Sequence, residues 1–502
     1  MGTQAKSPVT PPESRTYGIP HFVLAIAIAV TVLQHVTMLY TLHYDGDEAV
    51  YSVLAKEMNW DLSHYTTQDD PEISSFPYTC YRHDLFFHPP LYPLVLKTGL
   101  AMEGWSVKSG FRDVLVRRFG ISPARIGTRT PPEVALMAFA FTIVVRISAL
   151  LVLGRGLKRW EVSSFASIVI LIVLVICPIT TFSTVRWHHD GLLGLLALIA
   201  FALLCESLQT GAVWVFTLGL MAALAAMNIR YNAIVLAPCF FAIPLYDAFR
   251  RWREAGTDDA RPNWLRTVRS LPSWWWVFVA VATLALLTIG LSHFARVYAR
   301  FGTLSPDAFN QPSIEAMASL PETQRTRLIT FMERHSERTL AWSLSETILL
   351  VPVLFLLLRP SFWTGFMRKL MKGHEQGFLL LVAFFTAATV ARYQASQVRY
   401  LAAAMPMIYL FLAIAIESLP TRPWQQGAIA VVLATHVFLA TTSSFLGANF
   451  AGPHDQGQVI PAAYLYAPRL EPWIARNLGN FREEAPSGKS AEVDSREPTT
   501  SE

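Results

Sequence analysis

The 502-residue chain is 53% hydrophobic and only 15% charged, where a soluble domain carries about 25% charged residues, so composition argues against an ordinary soluble domain. A net charge of +5 would point to nucleic acid in a soluble protein. In a chain of long apolar runs the placement of the positive residues matters more than their sum, and nucleic acid is not an expected partner. Of the four cysteines, Cys177, Cys205 and Cys239 fall in apolar runs and Cys80 in a polar loop, so neither a disulfide framework nor a zinc motif can be assembled.

Taken in order, Pro20 to Leu42 contains no Asp, Glu, Lys or Arg and is long enough to cross a hydrocarbon core of about 30 Å. It exceeds the apolar core of a cleavable signal, about 7 to 15 residues, and leads straight into His43-Tyr44-Asp45. It reads as a retained anchor behind a cytoplasmic tail, residues 1–19. Next comes a polar stretch, 43–133, in which Asp47 to Met58 places Val50, Val53, Leu54 and Met58 on one helical face, a spacing suited to lying along a membrane surface. A second short helix, Leu91 to Met102, follows Pro89-Pro90; it contains Lys97 and is too short to span, so it is expected to be re-entrant or interfacial.

Further apolar runs fall at about 134–154, 163–182, 190–207, 212–227, 231–249, 274–292, 343–358, 377–391, 400–417 and 425–446. With the first they predict an all-α integral membrane protein of about eleven transmembrane helices over residues 20–446. A cytoplasmic N-terminus puts Arg155, Lys158 and Arg159 inside, with Arg250, Arg251, Arg253, Arg261, Arg266 and Arg269, then Arg359, Arg368, Lys369 and Lys372. This satisfies the positive-inside rule. The long segments 43–133 and 293–342 then lie outside, as does 447–482, and residues 483–502 compose a disordered tail.

Under this topology Asp47, Glu48, His88, His188, His189, Asp190, Arg230, Arg392 and Arg399 gather at outer helix ends. Carboxylates on two segments can supply a general base and a group that orients a hydroxyl, while arginines hold an anionic leaving group such as phosphate. That is the layout of a transferase. Simpler roles exist for the same residues. Asp47 and Asp190 can cap helices; Arg230 and Arg399 can reach lipid headgroups; His88 can punctuate a turn before two prolines. Glu346 fits a capping box with Ser343. Arg146, some twelve residues into its run, cannot be a helix end and must find a partner or a wet cavity.

The segment Asp47-Glu48-Ala49-Val50-Tyr51-Ser52-Val53-Leu54-Ala55-Lys56-Glu57-Met58, directly after the first run, resembles the signature of the polytopic GT-C glycosyltransferases. The likeness is nearest to their protein-mannosyltransferase and aminoarabinose-transferase branch. His88-Pro89-Pro90-Leu91, Arg146, His189-Asp190, Arg230-Tyr231-Asn232 and Arg399-Tyr400 follow in the order of that family. The resemblance covers residues 20–410, with a long insertion at 59–87 that carries Asp69, Asp70, Glu72 and Cys80.

It implies a polyprenyl-phosphate-linked sugar donor and a glycan, lipid or protein acceptor. Transfer would take place with inversion on the periplasmic or outer face of a membrane, most simply a bacterial inner membrane. By motif, Asp47 is the base, Asp190 the second acidic residue, and Arg230 and Arg399 suit the donor phosphate, with Glu48, His88, His189, Tyr231 and Tyr400 as further substrate contacts. Family members often use a divalent metal; here Glu48, His88 and His189 are dispersed and no ligand spacing selects one. Two rivals remain at this level. A secondary transporter would need paired broken helices in two halves, and a polysaccharide polymerase or ligase would differ in using a diphosphate-linked donor.

Overall fold

The computed structural model describes residues 17–41, 47–70, 83–119, 131–176, 189–230 and 273–302, with Ala233, Leu236 and Pro406. Among these the regular structure is helical; β pairing is limited to isolated bridges, Tyr17 with Ser163 and Tyr65 with Leu85. The helices are α1 (His21–Thr41), α2 (Asp47–Glu57), α3 (Leu91–Lys108), α4 (Phe111–Phe119) and α5 (Pro132–Arg159). They continue with α6 (Ser164–Ile176), α7 (His189–Thr210), α8 (Val213–Met227), α9 (Ser273–Ala285) running into a π-helical turn (Leu286–Gly290), and α10 (Ser292–Phe301).

Local chemistry explains where the long helices start and stop. Pro20 precedes α1 and its carbonyl accepts the amides of Val23 and Leu24. Pro132 opens α5 at the position where a missing N–H costs nothing, and Lys158 and Arg159 close it where the helix dipole favours cations. Gly18, at φ +81°, is a required glycine: its N–H donates to the Val162 carbonyl, and a Cβ there would stand 2.7 Å from Lys158 Cβ.

Packing fixes the directions of the helices. Leu24 meets Gly154, and Gln34 meets Arg146, so α1 and α5 are antiparallel. Gly18 bonds Val162 and Gln34 bonds Val175, so α1 and α6 are parallel. Gly211 and Ala212 join α7 to α8, and Gly219 lies against the Ala200 carbonyl and Leu203, a close antiparallel hairpin. Along α8, Phe216 meets Phe278 and Asn228 meets Ile289, so α9 runs parallel to it. The bundle therefore has two distinct ends. One holds Gly18, Arg155, Arg159, Val162 and Glu206; the other holds the end of α1, the starts of α5 and α7, and the turn at Asn228.

The expected runs at 20–42, 134–154, 190–207, 212–227 and 274–292 coincide with α1, α5, α7, α8 and α9 with its π turn. Among the described residues one helix, α5, is long and apolar enough to cross a membrane; its 28 residues extend about 42 Å. Val277–Gly290 and Ser292–Phe301 pass that test together but are bent by 43°. The expected runs 343–358, 377–391 and 425–446, nearly all of 231–249, and 400–417 apart from Pro406, lie outside the described residues.

The structure differs from the sequence expectation at α2. Val50, Val53, Leu54 and Met58 do share a buried face, but Tyr51 and Ala55 are buried too, and the neighbours are rings of the chain itself. Tyr51 stands edge-on to Phe86 and Tyr92 at 6.3 and 5.6 Å between centroids. A face filled by Phe86 and Tyr92 has no area left for a membrane surface. The helix expected at Leu91–Met102 forms and runs six residues further, to Lys108, because its far half leans on the start of α5: Gly99 lies against the backbone of Glu133 and Val134.

Candidate functional site

The candidate site is assembled at the end of the bundle that carries Asn228. Residues 59–70 and 83–90 fold back as two strands of loop tied by Phe86 N–H to the Tyr65 carbonyl at 2.7 Å and by the Thr66 hydroxyl to the His83 carbonyl. The Tyr65 hydroxyl donates to the His88 carbonyl at 2.8 Å. The His88 ring lies 4.0 Å from Phe87 and 5.9 Å from Tyr51 between centroids, so it sits against α2 one turn beyond Asp47 and Glu48. Three residues on, the Leu91 N–H donates to the Asn228 carbonyl at 2.9 Å, which fastens the start of α3 to the turn that carries Arg230. Lys97 braces this arrangement by donating to the Ala55 carbonyl at 3.2 Å with its ammonium over Trp60.

Asp47 and Glu48 are the first two residues of α2, and His189 and Asp190 the first two of α7. Carboxylates at both positions suit the positive end of a helix dipole. Arg230 is buried, 9% exposed; its N–H bonds the Ala226 carbonyl and its own carbonyl accepts from Ala233. His88, Arg230 and the starts of α2 and α7 thus share one end of the bundle. Tyr231, Arg399 and Tyr400 lie outside the described residues, as do His188, Arg392 and Glu346. Among the described residues no group of three or more His, Cys, Asp or Glu stands close enough to hold a metal ion.

Arg146 finds the partner its depth demands. Its guanidinium donates to Gln34 Oε1 at 2.9 Å, and Gln34 Nε2 donates in turn to the Val175 carbonyl at 3.0 Å, so one polar thread links α5, α1 and α6. His35 lies beside it with Nδ1 2.9 Å from the Thr31 carbonyl. A carbonyl only accepts, so that nitrogen carries the proton, and the 3.5 Å approach of Arg146 to it is a contact rather than a bond. At the opposite end Arg155 and Arg159 both reach Glu206, at 2.5 and 2.9 Å, which gathers positive residues expected on one side onto a buried carboxylate.

Sequence patterning had not singled out two further groups. Arg112 of α4 donates to both carboxylate oxygens of the buried Glu133 at 2.9 and 3.0 Å and to Glu103 at 2.8 Å; these bonds, to Glu133 foremost, push its pKa further up. The second group is on α10, where His293, Arg296 and Arg300 fall at i, i+3 and i+7, a single stripe of a helix. That spacing was a legible signal in a segment otherwise polar enough to pass for loop. No family model matches the chain, and no curated protein matches it in sequence.

Proposed function

We propose that this chain is a multi-pass membrane glycosyltransferase of about eleven spans that moves one sugar from a polyprenyl-phosphate donor to an envelope glycan, lipid or protein at the outer face. The observation that carries it is the meeting of Tyr51 of α2, one turn beyond Asp47, with the His88 segment and of that segment's end with the Arg230 turn at one end of a helical bundle, from parts of the chain far apart in sequence. Membrane residence is supported by the outward faces of α1, α5, α8 and α9. Phe22, Ile26, Val144, Trp214, Met221, Val281 and Leu287 are each half or more exposed, a surface that suits hydrocarbon and is rare in water.

In the proposed reaction Asp47 takes the proton of an acceptor hydroxyl as its oxygen bonds to the anomeric carbon from the face opposite the phosphate. The bond from that carbon to the phosphate oxygen breaks, and the electron pair leaves with the polyprenyl phosphate, whose charge Arg230 and Arg399 offset. Asp190 orients the acceptor. One observation favours a second reading: the break of 43° between α9 and α10 is the kind of interruption transporters use, although they need it in matching positions of two halves.

Asp47→Asn tests the assignment of the base. Turnover should fall by about 10²–10⁴-fold while binding of the donor lipid is retained; an Asn variant with wild-type turnover and unchanged binding contradicts it.

A further inference from the structure

The polar stripe of α10 reaches three separate points of the first loop. Arg296 donates to the Leu62 carbonyl at 3.2 Å. His293, fully buried, has Nε2 3.1 Å from the Phe87 carbonyl, 206 residues away in sequence. Arg300 bonds both carboxylate oxygens of Asp84 through Nε, at 2.8 and 2.9 Å. Because a carbonyl only accepts, His293 Nε2 carries the proton, and Nδ1 is left to accept from Arg296 at 3.5 Å. The imidazole is therefore neutral when both contacts are made. Its ring also stands edge-on to Tyr65 at 5.5 Å, the residue whose hydroxyl holds the His88 carbonyl.

These contacts converge on the segment that sets the place of His88. Asp84 and Phe87 lie on it, Tyr65 crosses it, and the bend of 43° after Gly290 takes α10 off the line of α9 towards it. We propose that α10 is the positioning clamp of the candidate site: His293, Arg296 and Arg300 hold Asp84–His88 in the pose in which His88 meets α2, and binding of a polyprenyl phosphate depends on that hold. The clamp itself stands on geometry, and only its link to lipid binding rests on the glycosyltransferase assignment.

The test uses the full chain in lipid nanodiscs, with hydrogen exchange of the amides over 84–92 as one readout and undecaprenyl phosphate uptake by native mass spectrometry as the other. Arg300→Ala removes an exposed pair and should speed exchange about two- to fivefold. His293→Phe strips a buried carbonyl of its donor and should speed it about tenfold. The charge swap Asp84→Arg with Arg300→Asp should return exchange and uptake towards wild type. Exchange over 84–92 that is unchanged in every variant, or a swap that rescues nothing, overturns the clamp. Loosened exchange with unaltered uptake overturns its link to binding. If the wild-type chain takes up no undecaprenyl phosphate the glycosyltransferase assignment falls instead, and exchange alone still decides whether the clamp exists.

Discussion

Replacing Arg112 by Ala asks whether α3 and α4 really stand on the start of α5, on which the place of the candidate site depends. The Glu133 side chain is completely buried, whereas that of Arg112 is 29% exposed. Removing one partner of a buried pair costs about 3–5 kcal/mol because a charge is left stranded. Two effects reduce that here. Water can follow the partly exposed guanidinium out, and Glu133 lies in the first turn of α5, where the helix dipole returns about 0.3–1 kcal/mol.

The expected net loss for Arg112→Ala is about 2–3 kcal/mol. The double replacement Arg112→Met with Glu133→Met leaves neither charge behind and should lie within about 1 kcal/mol of wild type. Thermal unfolding of the full chain in detergent, with Arg117→Ala as control, measures both. The Arg117–Asp113 pair is 3.8 Å long with both side chains more than 70% exposed, so its loss should change little. An Arg112→Ala protein no less stable than Arg117→Ala would refute the account of how this end is held.

Two further outcomes follow from the same contacts. Burial lowers the His293 pKa to about 4, the Phe87 carbonyl opposing and Arg296 adding to the effect, and the Arg300 bonds hold Asp84 below its ordinary range. Both groups therefore favour the docked α10 above their free pKa values, and that stability is lost as pH falls, first from about 6.5 towards 4 for His293. Exchange at α10 should accelerate over that window, and a pH-independent rate, after correction for intrinsic exchange, contradicts it. The second outcome concerns glycines. A Cβ on Gly99 would stand 2.7 Å from the Glu133 carbonyl oxygen, while one on Gly290 meets the mobile end of Met227 at 2.9 Å. Gly99→Ala should cost about 1–3 kcal/mol and Gly290→Ala less; equal melting temperatures would contradict the close approach of α3 to α5.

Helices such as α7 and α8 were legible to within three residues because a long apolar run needs no partner to declare itself. What those runs pack against was not. The need of Arg146 for a partner could be read from its depth, but Gln34 and His35 depend on the antiparallel register of α1 and α5, which no local pattern encodes. The expectation of a membrane-surface position for α2 differs from its burial for the same reason: Phe86 and Tyr92 come from more than 30 residues away. Glu206 is a single carboxylate inside an apolar run, and its pairing with Arg155 and Arg159 depends on the packing of α7 against α5, which no local pattern encodes. At the site, Asp47, Asp190 and Arg230 were singled out by resemblance, and the structure adds that their segments share one end of the bundle.

The central claim is that this end binds a polyprenyl-phosphate sugar, and native mass spectrometry of gently purified protein tests it most directly. The account predicts a bound polyprenyl phosphate or its monosaccharide derivative in the wild-type chain, whose mass names the sugar, and loss of that adduct in Arg230→Ala and Arg399→Ala. A wild-type chain that takes up none of these lipids, or variants that hold them as tightly, would contradict it.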